Sequence, residues 1–270
     1  MFVLMTKIFA MKFTFRKIAL FCLFTISLWA CKEDDSESMV EDPTAENKKA
    51  LGLSAEDILS NDIYTSLTVE MAFTAEYAPT QQTINAFKQF ILERVNKSSG
   101  VVFIENQVSP PGNDPFSIDE IRDIEDDIRT QYTEGNNIAI FVFFANGNST
   151  NDTQNTVTLG TAYRNTSIVI YERTIQEVTD SDPEILPLLE TTTLNHEFGH
   201  ILGLTNIQND DIHQNHEDGD NLKHCMVENC LMYYDATNVT REMIYRLSSR
   251  MAVPELDALC IEDLQAKGGK

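Results

Sequence analysis

The sequence predicts an α+β protein whose N-terminal half is α/β-like, and three observations carry that prediction. Between residues 63 and 171, short β-rich runs alternate with segments whose apolar residues recur at helical spacing. One run, Ile138 to Phe144, is apolar without interruption, as a strand buried on both faces reads. From Leu186 onward the pattern is helical: a long helix to Leu204, then Val239 to Met251 and Pro254 to Ala266 closing the chain.

In order, Tyr64 to Phe73 alternates and is rich in β formers, which makes it a strand. Gln81 to Asn96 sets Ile84, Phe87, Phe90, Ile91 and Val95 on one helical face. Val101 to Val108 is a second strand, closed by the turn cluster Pro110-Pro111-Gly112-Asn113. Ser117 to Tyr132 is a helix in which Ser117 and Glu120 have capping-box spacing. Asn137 to Ala145 is the central strand, Asn146 to Thr158 a polar loop, and Leu159 to Tyr163 and Ser167 to Tyr171 two further strands. The long helix begins after Pro183, near Pro187. No internal repeat is visible.

The N-terminus reads as a targeting segment. Lys12, Arg16 and Lys17 precede an apolar core from Ile18 to Ala30, and Leu28-Trp29-Ala30-Cys31 resembles a lipobox with Cys31 as the lipidated residue. The apolar run falls short of the ~20 residues that a membrane span needs. The expected organisation is a signal peptide over 1–30, a flexible acidic tether over 31–62 and one folded domain over 63–270. The formal charge of −22 excludes nucleic acid as a partner, and removing residues 1–30 would strip four bases and no acid. Glu33-Asp34-Asp35 resembles the acidic export tags of Bacteroidetes-type lipoproteins. The expectation is an exported, monomeric lipoprotein of the outer membrane, exposed at the cell surface.

The chemistry is concentrated in Thr193-Leu194-Asn195-His196-Glu197-Phe198-Gly199-His200-Ile201-Leu202-Gly203-Leu204. Residues four apart share a helix face, so His196 and His200 can offer two imidazoles to one metal ion. Glu197 stands beside them, where a carboxylate can take a proton from an activated water. Leu194, Phe198, Ile201, Leu202 and Leu204 give the helix an apolar side, and Gly203 terminates it. All five histidines, His196, His200, His213, His216 and His224, fall between residues 196 and 224. Such clustering favours a zinc site over an ordinary amphipathic helix with solvated histidines. Cys230-Leu231-Met232-Tyr233-Tyr234 follows as a compact apolar segment.

These motifs and the element order resemble the metzincin clan of zinc peptidases, over about residues 63 to 266 in element order and 196 to 234 in motif. The resemblance implies a metzincin-like zincin: a twisted mixed five-stranded sheet, a zinc-bearing active-site helix, a Met-turn at Met232 and C-terminal helices. The edge strand, about Leu159 to Tyr163, would pair with an extended peptide. One catalytic Zn2+ would be held by His196, His200 and a third ligand, with Glu197 as general base. Tyr234, two residues after the methionine, is either an oxyanion donor or a core aromatic. The implied function is a zinc-dependent endopeptidase acting on proteins or peptides.

The third ligand departs from that pattern, because the position three residues after Gly203 is Asn206, and an amide binds zinc poorly beside imidazole. His224-Cys225-x-x-x-x-Cys230-x-Met232 resembles the archaemetzincin segment, in which the third histidine is followed at once by cysteine. A loop would then be inserted between Gly203 and His224. His224 leads as third ligand, His216 is the main rival, and His213 and Asp218 stay open. The later paired cysteines of archaemetzincins are missing, so no second structural zinc is expected. The lipoprotein context also resembles membrane metalloproteases of Bacteroidetes.

Of the remaining cysteines, Cys225 and Cys230 are the expected disulfide, with thiolate metal ligation as the competing reading and Cys260 left over. Asp210, Asp211, Glu217, Asp218 and Asp220 could hold Ca2+ or form a solvated acidic loop. Two alternatives remain. A gluzincin would take Glu242 or Glu255 as third ligand, though neither has the matching context. A non-catalytic, zinc-stabilised surface lipoprotein would bind a protein or glycan. Asn206 favours the latter, whereas the presence of Glu197 and the loss of Trp29 with the signal weigh against it.

Overall fold

Strand β3 (Asn137–Phe144) is the axis of the sheet, and its side chains divide between two hydrophobic layers. Ile138, Ile140, Val142 and Phe144 enter one core; Phe141 and Phe143 enter the other. This period-2 division of an unbroken apolar run is what coverage on both faces demands. The computed structural model describes residues 42–112, 114–234, 238–239 and 252–270. The expected signal peptide, Cys31, the start of the tether, Glu242 and most of the helix expected over 239–251 lie outside the described residues.

The chain runs α1 (Ala55–Leu59), β1 (Ser66–Phe73), α2 (Gln81–Leu92), β2 (Gly100–Gln107), α3 (Ile118–Ile128) and β3. It continues through β4 (Val157–Thr158), β5 (Gly160–Arg164), β6 (Ser167–Ile170), α4 (Glu172–Val178), α5 (Leu186–Ile201), β7 (Asn238–Val239) and α6 (Ala258–Ala266). The sheet order is β2-β1-β3-β6-β5. All pairs are parallel except β5 with β6, so the sheet is mixed and five-stranded, as expected, with an antiparallel edge. Helix α3 begins with the expected capping box: the Ser117 side chain accepts from Glu120 N–H and Glu120 accepts from Ser117 N–H. Such a cap stabilises a helix by about 1 kcal/mol.

Two expectations need correction. The segment expected as tether is folded from Asp42 onward. Ile58 and Leu59 of α1 are fully buried in the main core, and Asn47 is buried and donates to Thr133, Thr166 and the Ala139 carbonyl. The acidic composition of 31–62 concealed a few apolar and amide side chains that carry the docking. Helix α4 and the short β4–β7 pair were also not anticipated. Glu-Arg-Thr-Ile-Gln-Glu-Val offers only Ile175 and Val178 as apolar positions, too few to show a period.

Helix α5 is buried along nearly its whole length, including Thr191 to Thr193, Asn195, His196 and Glu197. Its fixing points are Leu194, Phe198, Ile201 and Leu202 in the main core. Phe198 meets the edges of Phe87 and Phe90 from α2, with ring centroids 5.4 and 6.3 Å apart. No helix among the described residues is long and apolar enough to cross a membrane.

Candidate functional site

The end of α5 is shaped by Gly203, which takes the left-handed conformation at φ +87°. Leu204 N–H donates to Gly199 O and Gly203 N–H to His200 O, each at 3.0 Å, the two bonds of a Schellman motif. The turn brings the Leu204 carbonyl back over the helix end, where it lies 2.8 Å from His200 Nδ1. Backbone therefore orients this ring, and the same device recurs twice. His196 Nδ1 is 2.8 Å from Leu231 O, and His224 Nδ1 is 3.1 Å from Leu222 O.

A carbonyl can only accept, so each Nδ1 carries the hydrogen and each Nε2 keeps its lone pair. The ring centroids of His196, His200 and His224 are 4.7, 5.3 and 5.2 Å apart, and one ligand nitrogen from each lies within 4.8 Å of the others. His196 Nε2 is buried with no hydrogen-bond partner. Burial, then the neighbouring imidazoles, pushes the His196 pKa well below its ordinary value, and burial, then His224, takes His200 down to about 3. Burial also lowers His224 from its ordinary value, against the raising effect of its backbone carbonyls. Three neutral imidazoles converging around an orphaned nitrogen fit a zinc ion.

Met232 lies fully buried beneath α5, so close to Gly199 that a Cβ there would overlap its sulfur. Glu197 is buried on the opposite side, and its Oε2 accepts from the Ala162 N–H of edge strand β5 at 2.7 Å. Burial raises the Glu197 carboxyl to about 8, against the lowering effect of that bond. A cleft of about 330 Å3 opens here, with Thr158, Gly160, Thr161 and Ala162 on one bank and Glu197, His200 and His224 beneath. The outer edge of β5 thus faces the imidazole cup. Tyr234 packs against Tyr233, ring centroids 5.1 Å apart.

The position of His224 follows from how the insertion is closed. Asn206 adopts φ +56°, which asparagine tolerates better than most residues, and turns the chain outward. Thr205 N–H donates to Lys223 O, and Lys223 Nζ to Asn206 O. Glu217 joins the two legs, accepting from Asn206 Nδ2 at 3.1 Å and Lys223 N–H at 2.8 Å. The chain leaves and returns at one place, so His224 arrives where a residue near position 206 would stand.

The rival ligands lie elsewhere. His216 Nε2 is 2.9 Å from Asp263 Oδ2 on α6, and His213 Nδ1 is 3.1 Å from the other Asp263 oxygen. Asp218 is half-buried and bonded within the loop to Asp220 N–H and Asn221. Glu255 is exposed, and its carbonyl accepts from Leu231 N–H. The acidic cluster does not converge for calcium: Asp210 and Asp211 pair with Lys267, while Glu217 and Asp218 are committed to the loop.

The expected Cys225–Cys230 disulfide is also not formed. Cys225, Cys230 and Cys260 are free, buried thiols. Cys230 Sγ is 3.7 Å from Cys260 Sγ, and His216 Nδ1 is 3.7 and 3.9 Å from the Cys225 and Cys260 sulfurs. Asp257 Oδ2 lies 3.0 Å from Cys225 Sγ. His216, Cys225, Asp257 and Cys260 bring one ligand atom each within 4.8 Å of one another, a donor set that could hold a metal and that the expectation of a single ion did not cover. Cys260 was unreadable as a member because His216 and Cys225 lie 30 or more residues away, brought in by the docking of α6.

No protein-family model matches the chain, and none of the curated proteins matches it. Two solved structures resemble it in chain path. Archaemetzincin from Methanopyrus kandleri is 17% identical with a TM-score of 0.46, covering 76% of this chain and 96% of its own. A zinc-dependent peptidase from Methanocorpusculum labreanum is 14% identical with a TM-score of 0.44, covering 73% and 99%. Likenesses this distant carry no argument about function, and the reading below rests on the side chains.

Proposed function

We propose that the chain is a zinc-dependent endopeptidase, with His196, His200 and His224 as zinc ligands and Glu197 as general base. The observation that carries this is the convergence of three Nε2 lone pairs beside a buried carboxylate that faces a sheet edge. Zn2+ in this cup would supply Lewis acidity, polarising a peptide carbonyl and making water acidic enough to attack near neutral pH. Glu197 takes the proton of the attacking water and delivers it to the leaving amine. Its bond to Ala162 N–H fixes the carboxylate beside β5 and leaves Oε1 for the proton. The β5 edge receives an extended peptide through main-chain hydrogen bonds, which asks little of the side chains. Met232 acts as an apolar floor, and Tyr234 is proposed as a donor to the developing oxyanion.

In the same reading the protein is an exported lipoprotein of the outer membrane, with Cys31 as its lipid-bearing residue. Incorporation of labelled fatty acid that persists in Cys31→Ala would remove that part.

The deciding experiment is a peptide-library digest, read by mass spectrometry, with the zinc-loaded full chain and Glu197→Gln. The parent should cleave, and the variant should lose about 10²–10⁴-fold of the rate while keeping its zinc. Equal cleavage by both removes Glu197 as the base. No cleavage by either, at full zinc occupancy, replaces the peptidase with a zinc-stabilised binding protein.

A further inference from the structure

Gly160 sits inside strand β5, opposite Ile170 of β6, and is not among the glycines that take a positive φ. Its backbone would therefore accept any L residue. Glycine within a strand costs conformational entropy and packs nothing, so its use there points to a close approach by another group. That group is the base. A Cβ at position 160 would stand 2.8 Å from Glu197 Cγ, 2.8 Å from Thr193 Cγ2 and 3.2 Å from Ile170 Cδ1. Carbon atoms in ordinary contact are about 3.5–4.0 Å apart.

Neither of the two nearest atoms can give way cheaply. Thr193 and Glu197 lie one turn apart on α5, and both are buried. Thr193 is β-branched, which holds its methyl group on a stiff torsion. Glu197 Cγ is the middle of a side chain whose far end is already engaged, because Oε2 accepts from Ala162 N–H at 2.7 Å. The Leu159 carbonyl accepts from Tyr171 N–H across the β5–β6 pair. Main-chain groups alternate in direction along a strand, so those of Gly160 and Ala162 face away from β6, toward the cleft. The two residues work together: Gly160 admits the stem of Glu197 to the strand, and Ala162 takes its carboxylate.

We propose that Gly160 is a positioning residue for the base: its missing side chain lets Glu197 lie against β5 and so sets the carboxylate beside the imidazole cup. The proposal rests on the reading of Glu197 as general base. In Gly160→Ala the added methyl parts β5 from α5 or turns Glu197 to another rotamer. Either movement takes the carboxylate off the Ala162 amide. The imidazoles are oriented by the carbonyls of Leu204, Leu222 and Leu231, none of which belongs to β5, so zinc is retained.

The test reads the bond and the rate separately, on the zinc-loaded full chain. Amide hydrogen exchange followed by NMR should find Ala162 N–H protected in the parent, although it faces away from β6. That protection should fall about 10-fold or more in Glu197→Ala and in Gly160→Ala, while Tyr171 N–H stays protected. Gly160→Ala should lower kcat about 10²-fold, as a 1 Å misplacement does, with KM little changed and zinc content intact. In the Glu197→Gln background the same substitution should cost nothing more, because it acts only through the carboxylate. Thr193→Ser, which removes the crowding methyl, should restore part of the loss. Rapid exchange of Ala162 in the parent, or unchanged protection in Gly160→Ala, overturns the proposal. A rise in KM alone, or an equal loss in both backgrounds, also overturns it and makes Gly160 part of the peptide-binding edge. If Gly160→Ala does not fold, Gly160→Ala with Thr193→Ser takes its place under the same readouts. Exchange needs no cleavage, so a parent that cuts no peptide removes the peptidase reading and leaves the placement of Glu197 to be decided at Ala162.

Discussion

At the scale of single residues, the site depends on which backbone carbonyls meet which imidazoles. His196, Glu197 and His200 were legible in the sequence because a spacing of four on a helix is itself a geometric statement. His224 was legible only through the cysteine and methionine that follow it, since nothing in the insertion's composition says where the loop closes. The three orienting carbonyls, of Leu204, Leu222 and Leu231, were not legible at all, because every residue carries a carbonyl. Gly203 is where that hidden layer can be tested. In Gly203→Ala an L side chain is forced to φ +87°, with its Cβ 3.3 Å from that of Ala55. The left-handed conformation alone costs about 1–2 kcal/mol. Relief by unwinding the turn would carry the Leu204 carbonyl off His200. The expected outcome is a lower melting temperature together with weaker zinc retention against a chelator. A melting shift with unchanged retention would confine Gly203 to stability.

At the scale of elements, α5 is held by its whole circumference, which its sequence only half disclosed. The apolar side was readable; the burial of Thr191, Thr192, Thr193 and Asn195 was not, because polar side chains read as exposed until the partner elements are known. Phe198 is the best probe of this packing, being wedged against two rings of α2. Phe198→Ala removes both edge-to-face contacts and leaves a cavity, a loss of about 3–5 kcal/mol. Denaturant unfolding at fixed slope would measure it, and a loss below about 1 kcal/mol would mean that the site collapses to fill the void. Strands were the most readable elements, since β1, β2 and β3 each announce themselves by composition. The antiparallel direction of β5 was implied by the metzincin resemblance alone.

At the scale of the whole molecule, an excess of acid over base is combined with a buried carboxyl, that of Glu172, whose ionisation its surroundings oppose. Glu172 of α4 and Glu190 of α5 are both fully buried, and Glu190 accepts from Thr80 and Thr83 at the start of α2. Burial, then the charge of Glu190, raises the Glu172 carboxyl well above its ordinary value. An acid raised on folding contributes stability that is complete below its unfolded pKa, about 4.5, and is lost as pH climbs through the folded value. The midpoint of denaturant unfolding should therefore fall as pH rises above about 5, and Glu172→Gln should flatten that decline. An unchanged slope in the variant would assign the dependence to other groups. This pairing, like the folding of residues 42–62, could not be seen in the sequence, because it joins elements whose packing no local pattern records.

The closed stem of the insertion makes its tip a cassette. Residues 205 and 223 are already side by side, so the excursion between them can lengthen without moving either. Gly219 stands at that tip, exposed and with open space around it. Doubling a flexible loop adds only about 0.6 kcal/mol of closure entropy. A reporter peptide spliced at Gly219 should leave the zinc content and fold intact, giving a handle a few residues from the cleft.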